Sequence, residues 1–70
     1  MLKTGQWVVA SRHVGRTVKP GTLGIVDEVR QDGAAVVSFV GPEIPGGRWK
    51  VRLDRPWEVV RPENVSTASI

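Results

Sequence analysis

The residues best suited to chemistry in this 70-residue chain are basic ones, and they fall into two groups. The first group shares one segment with glycine and proline and consists of Arg12, His13, Arg16 and Lys19. The second group, which we call the basic row, consists of Arg48, Lys50 and Arg52. The members of the row are two residues apart, so in a strand they point to one face. Like charges so placed repel one another, and nucleic-acid phosphates are the commonest partner that would neutralise them.

The charge is segregated along the chain, whose net charge is +3 and whose pI is about 10.2. Residues 1–26 contain four basic residues and no acidic one, and residues 46–61 contain five basic and two acidic ones. Residues 27–45 contain four acidic residues and one basic. This pattern favours an anionic partner. A second interpretation stays open, because Lys and Arg on exposed strands also keep a protein soluble and prevent edge-to-edge aggregation.

Several kinds of site are excluded or disfavoured by composition. The chain has no cysteine and a single histidine, His13, which excludes disulfides, cysteine-based metal sites and imidazole clusters. The chain lacks a Gly-Lys-Ser/Thr phosphate loop. Asp27 and Glu28 are adjacent, so in a strand they point to opposite faces and are poorly placed to hold one metal ion. We therefore predict no enzyme, no metal and no cofactor, with His13 a solvated loop residue.

The elements that must position the basic residues are strands. Thirteen Val and three Ile stand against four Ala, three Leu and one Met, so β-branched residues dominate. No segment shows a sustained helical period. The predicted strands are Gln6 to Arg12, Leu23 to Arg30, Ala34 to Val40, Arg48 to Asp54 and Trp57 to Val60. The first basic group then lies in the loop His13 to Thr22, and the basic row lies on the fourth strand.

Local signals refine these strands. Asp32-Gly33 predicts a two-residue type I′ hairpin turn, and Asp27 interrupts the alternation of the second strand, which predicts a bulge or bend. The segment Gly41 to Gly47 is a loop, because it holds two prolines and three glycines. One 3₁₀ turn is predicted at Pro62-Glu63-Asn64, the domain at residues 1–65, and a frayed tail at residues 66–70.

Alternation also predicts the core. Three sets of residues are expected to share the inward face: Leu23, Ile25 and Val29; Ala35, Val37 and Phe39; Trp49, Val51 and Leu53. Trp7 and Trp57 are expected in the core as well, since a chain this short needs bulky fillers. The opposite interpretation is that tryptophans lie exposed as stacking platforms for bases. Five short strands without a covering helix must curl on themselves, so the predicted fold is all-β, a small five-stranded SH3-like barrel.

The segment from Val18 to Val29, followed by Val36 to Phe39, resembles the KOW motif. That motif joins a basic loop to a glycine and alternating valines in an SH3-like barrel, and Gly24 matches its characteristic glycine. The resemblance covers about twenty-two of the seventy residues. It implies binding to RNA, the ribosome or RNA polymerase through the loop and Gly24. The strand around Gly24 also looks like other SH3-like barrels that dock onto protein partners, among them a small photosystem I protein and the ferredoxin-thioredoxin reductase variable chain.

These observations predict a non-enzymatic, cytoplasmic binding module that contacts RNA or DNA phosphates through both basic groups, with little base specificity. The alternative is an accessory subunit that docks onto an acidic protein surface. A third class is a minimal enzyme made by symmetric assembly, similar to plasmid-type dihydrofolate reductases. Their Gln-Ile-Tyr motif is absent here, and the chain has no Tyr. No segment has the apolar length of a membrane span, so we expect no membrane partner.

Overall fold

The computed structural model describes residues 2–63. The predictions for Asn64, the domain end at residue 65 and the tail at 66–70 therefore lie outside the described residues. The strands are β1 (Trp7–Ala10), β2 (Leu23–Val29), β3 (Ala35–Val40), β4 (Arg48–Leu53) and β5 (Val60–Pro62). The helical segments within residues 2–63 are a 3₁₀ turn, Pro45–Gly47, and a one-turn helix, α1, Pro56–Val59. The all-β prediction is confirmed.

The five strands form one antiparallel sheet in the order β4-β3-β2-β1-β5. One face of this sheet is buried, and every strand contributes to a single hydrophobic cluster on that face. Val8, Val26, Val37 and Phe39 are its bulkiest fully buried strand residues, and each is at most 1% exposed. Because residues 2–63 contain no helix longer than one turn, the sheet itself encloses the core. The architecture fits a small barrel-like fold.

The inward face of β3 was predicted correctly, whereas that of β2 was not. Ala35, Val37 and Phe39 are fully buried. On β2, however, Gly24 and Val26 are the buried residues, while Leu23 and Ile25 lie on the outer face, partly exposed. Gly24 faces the core at a point with no room for a side chain. A Cβ there would lie 3.0 Å from both Phe39 Cδ1 and Val37 Cγ1.

The predicted irregularity at Asp27 is confirmed as a β-bulge, because the register of β2 against β3 shifts between Val26 and Glu28. Beyond the bulge the inward and outward positions of β2 exchange, so Val29 pairs with the inward-facing Ala35. Val29 is nonetheless 40% exposed, at the end of the sheet. Asp27 remains on the outer face, where its carboxylate is available to neighbouring strands.

The β2–β3 turn is not the predicted type I′ turn. Such a turn needs a positive φ at both central residues, and among residues 2–63 only glycines have one; Gly33 has φ 94°. The Gly33 amide donates to the Arg30 carbonyl, and the Arg30 amide donates to the Ala34 carbonyl. The hairpin therefore uses a longer loop that ends on a left-handed glycine. The Asp32 carboxylate accepts a hydrogen bond from the Ala34 amide at 3.0 Å, which holds the loop.

The prediction of a strand from Trp57 to Val60 was wrong over most of its length. Pro56 begins the helical turn α1 instead, and β5 starts only at Val60. Proline suits the first helical position because it needs no amide donor there, and Glu58 favours the same turn as an acid near the helix start. Pro62 consequently lies in β5 and not in a 3₁₀ turn.

Candidate nucleic-acid interface

The first basic group lies in a β1–β2 loop that has internal structure. Val14 and Val18 form an isolated antiparallel bridge, with reciprocal backbone hydrogen bonds of 3.0 and 3.2 Å. Both valines are buried in the core cluster. Arg16 therefore sits at the tip of a short hairpin whose base is anchored in the core. The bridge holds both ends of the turn that carries Arg16.

Trp49 supports the same loop from below. Its side chain lies on the inward face of β4, is partly buried and packs against the core cluster, as its alternation predicted. The ring extends beneath Gly15, where a Cβ would come within 3.2 Å of Trp49 Cη2. Gly15 also has φ 61°, a left-handed conformation that favours glycine. The loop and β4 are thus joined through this glycine and the tryptophan ring.

The basic row lies on the outer face of β4, as predicted, but its charges are matched by nearby acids. Arg48 and Lys50 lie 3.9 and 4.0 Å from the Asp27 carboxylate. Asp27 also accepts a hydrogen bond from the hydroxyl of Ser38, which is fully buried. The third member, Arg52, lies 3.4 Å from both Asp32 and Asp54. The repulsion expected along the row is therefore reduced by the protein itself.

In the described part of the chain, the basic residues of the β1–β2 loop other than Lys19 are not ion-paired in this way. Within residues 2–63, Arg12, His13 and Arg16 are exposed and have no carboxylate within 4.0 Å. Lys19 is the exception, since its ammonium lies 4.0 Å from Glu43 on the β3–β4 loop. That ion pair joins two side chains that are 67% and 70% exposed, so it is weak. The loop carries most of its positive charge without an internal partner.

The two predicted groups do not form one continuous surface. The basic row points away from the core on the outer face of β4. The loop instead packs against the inward side of the same strand, at Trp49. Arg12, His13, Arg16 and Lys19 thus share the β1–β2 loop, which contacts the inward side of β4, whereas Arg48, Lys50 and Arg52 lie on its outer face. A ligand on the loop need not touch the row.

The core predictions for Trp7 and Trp57 were wrong, because the two side chains are 45% and 65% exposed. In β1 the buried residues are Val8 and Ala10, which leaves Trp7 on the outer face. All four residues of this strand are apolar, so alternation could not fix which face is inward. The register places Trp7 opposite Ile25, which in turn is opposite Ser38. Trp7 is therefore an exposed aromatic on the sheet surface.

Two other kinds of feature are absent from residues 2–63. This part of the chain contains no cluster of three or more His, Asp or Glu side chains that could hold a metal ion. It also contains no helix with the length and apolar character needed to span a membrane.

The glycines at 46 and 47 have positive φ values and shape the turn before β4.

Comparison with known proteins gave no match: no family model, no curated protein and no solved structure is significantly similar to this chain. The KOW-like segment from Val18 to Phe39 therefore stays a prediction. Function is inferred below from the geometry and charges of the described residues.

Proposed function

We propose that this protein is a non-enzymatic binding module that holds single-stranded RNA or DNA by its phosphates through the β1–β2 loop. The observation that carries the proposal is the contrast in charge pairing between the two basic groups. Arg12 and Arg16 have no acidic neighbour within 4.0 Å in residues 2–63, whereas every member of the basic row has one. Unneutralised positive charge attracts a polyanion and releases the counterions condensed on it.

The chemistry of the loop suits phosphate. A guanidinium group can donate two parallel hydrogen bonds to phosphate oxygens, and such charge-assisted bonds are stronger than neutral ones. Arg16 lies in the turn closed by the bridge between Val14 and Val18, whose side chains are buried in the core. Contacts of this kind fix the position of a nucleic acid but carry no sequence information. We therefore expect binding with little base preference.

Trp7 favours a single strand over a duplex as the ligand. Its ring is 45% exposed on β1, the strand that leads into the loop. It lies on the outer face of the sheet, as the basic row does, but β2 and β3 separate it from Lys50 in the strand register. Unpaired bases stack on exposed aromatic rings, which contributes about 1 to 3 kcal/mol per base with little dependence on sequence. Bases in a duplex are already stacked and cannot use such a ring.

The basic row has a different role in this proposal. Among the strands of residues 2–63, β4 lies at an edge of the sheet and pairs with β3 alone. Charged side chains on an edge strand prevent other chains from adding to the sheet. Because each cation of the row has Asp27 or Asp32 within 4.0 Å, we expect the row to contribute less to phosphate binding than the loop does.

The proposal is tested by titrating ¹⁵N-labelled protein with an oligothymidine of about 12 nucleotides at about 50 mM salt. The amide signals of residues 12–19 and the indole N–H of Trp7 are expected to shift most. The amides of β4 and the indole of Trp57 serve as internal controls and should move little. Shifts concentrated on β4 or around Trp57, or no shifts at all, would contradict the proposal.

Asp27→Asn distinguishes the loop from the basic row. The substitution removes the carboxylate that faces Arg48 and Lys50 but keeps an oxygen that can accept the Ser38 hydrogen bond. If the loop makes the contacts, affinity for oligothymidine should rise less than about two-fold and the salt dependence should stay the same. Fluorescence titrations at several salt concentrations measure both. A salt slope steeper by about one or more would show that the row binds phosphates.

Docking onto a protein partner is a second candidate function, and one observation favours it. Trp57 is the most exposed of the large hydrophobic residues in the described chain, and it borders an apolar cleft away from the β1–β2 loop.

A further inference from the structure

We propose that the cleft beside Trp57 is a second binding site, which takes an extended apolar peptide segment of another protein that carries a carboxylate. We call it the Trp57 cleft. Its volume is about 700 Å³, within the range of about 300 to 1,000 Å³ typical of ligand sites. It lies between the β2–β3 turn on one side and α1 with β5 on the other. Its apolar lining consists of Leu2, Val29, Ala35, Pro56, Trp57, Val60 and Pro62.

The cleft has a buried floor and exposed walls. Ala35 and Val60, on the floor, are 0% and 4% exposed and belong to the core. Val29 and Trp57, on the walls, are 40% and 65% exposed. Residues 2–63 contain three exposed large hydrophobic residues. Val29 and Trp57 line the cleft, and Trp7 lies elsewhere. Apolar surface that is grouped in one concave place, and not scattered, is typical of a protein-binding site.

The Trp57 side chain stands on a short and well-anchored element. Pro56, which precedes it, is buried and begins the helical turn α1. Across the cleft, the ring approaches the β2–β3 turn, where a Cβ on Gly33 would lie 3.9 Å from Trp57 Cζ3. A tryptophan held in this way offers a large contact area and loses little side-chain entropy on binding. Such residues often supply most of the binding energy of a protein interface.

The charge of the rim defines the partner. Among residues 2–63, no Asp or Glu lines the cleft, whereas Arg30 and Arg61 do. Arg30 lies 3.8 Å from Glu28, but Arg61 has no carboxylate within 4.0 Å in the described part of the chain. A peptide with only apolar side chains would leave Arg61 unused, and a basic peptide would be repelled. An acidic side chain beside apolar ones complements both the floor and the rim.

The cleft is separate from the proposed phosphate-binding loop, since no residue of the loop lines it. The two sites can therefore fail independently. A peptide in the cleft should leave oligothymidine binding unchanged, and oligothymidine should not displace the peptide. This separation would allow the module to join a nucleic acid to a protein partner.

The test selects peptides of about nine residues from a random phage library against the immobilised protein, and then measures the affinity of synthetic copies. The enriched peptides should combine large apolar residues with Asp or Glu. Trp57→Ala should weaken their binding by about ten-fold or more, and Arg61→Ala should weaken it by several-fold. Trp7→Ala, which removes the other exposed tryptophan, is the matched control and should leave peptide binding unchanged. Melting curves of the three variants establish that each is folded.

Several outcomes would overturn the proposal: no enrichment, enrichment of basic peptides, or equal binding to the Trp57→Ala variant. Displacement of the peptides by oligothymidine would also overturn it, because the two sites would then overlap. A further contrary outcome is self-association, measured by sedimentation velocity and abolished by Trp57→Ala. That result would assign the cleft to a second copy of this chain in place of a peptide partner.

Discussion

Replacing Trp49 with alanine is expected to lower the free energy of unfolding by about 3 kcal/mol. Large-to-small substitutions of core aromatics cost about 3 to 5 kcal/mol, and the partial exposure of Trp49 places it at the low end. A domain of 70 residues has a total stability of about 4 to 10 kcal/mol, so the loss is a large fraction of it. The substitution also removes the ring beneath Gly15. Urea unfolding followed by circular dichroism measures the change.

The other two tryptophans are matched controls for this prediction. Trp7 and Trp57 are 45% and 65% exposed, so alanine at either position should cost less than about 1 kcal/mol. The three variants remove the same side chain from different surroundings. Equal costs at all three positions would contradict the placement of Trp49 on the inward face, and so would a smaller cost at Trp49 than at Trp57.

The double substitution Arg12→Ala and Arg16→Ala is expected to weaken binding to oligothymidine by about a hundred-fold at about 50 mM salt. Removing one phosphate-binding cation costs on the order of ten-fold at this salt concentration, because fewer counterions are released. Both side chains are exposed and have no ion pair within residues 2–63, so stability should not change. Binding is measured by fluorescence anisotropy of a labelled oligonucleotide.

The control for that experiment is Arg48→Ala with Lys50→Ala, which removes the same charge from the basic row. These residues already share Asp27 as a counter-charge, so we expect affinity to fall by less than about three-fold. If the control pair weakens binding as much as the loop pair, total charge and not the loop determines binding. The loop would then have no special role.

Much of the fold could be predicted because its determinants are local. The alternation Ala35, Val37, Phe39 has one polar neighbour, Ser38, and its inward face was predicted correctly. The bulge was predicted because Asp27 is a charge within an apolar strand. The absence of a helical period was equally informative, since the single α-helix in residues 2–63 is one turn long.

The errors occurred where the local signal was uniform or misleading. β1 is entirely apolar, so the outward position of Trp7 could not be read from alternation. Trp57 follows a proline, and proline ends strands but also begins helical turns. In β2, Gly24 faces the core against the Phe39 ring, and that contact joins two residues that are fifteen apart in sequence.

In the candidate site, too, the locally determined features were predictable and those that depend on strand pairing were not. The residues Arg12, His13 and Arg16 were identified from charge alone, and the structure places them on one anchored loop. The ion pairs of the basic row could not be predicted, because Asp27 reaches Arg48 and Lys50 only through the pairing of β2, β3 and β4. The sequence shows which charges exist, and the strand register determines which of them are already neutralised.

The most direct test of phosphate binding by the β1–β2 loop is the salt dependence of oligothymidine affinity for the unmodified protein. The logarithm of the association constant should fall linearly with the logarithm of salt concentration, by about 0.7 for each phosphate contacted on a single strand. Contacts from Arg12 and Arg16 predict a slope of about −1.4 or steeper. The double alanine variant should lose about that much of the slope. Folded protein that fails to bind at about 50 mM salt, or an unchanged slope in the variant, would contradict the account.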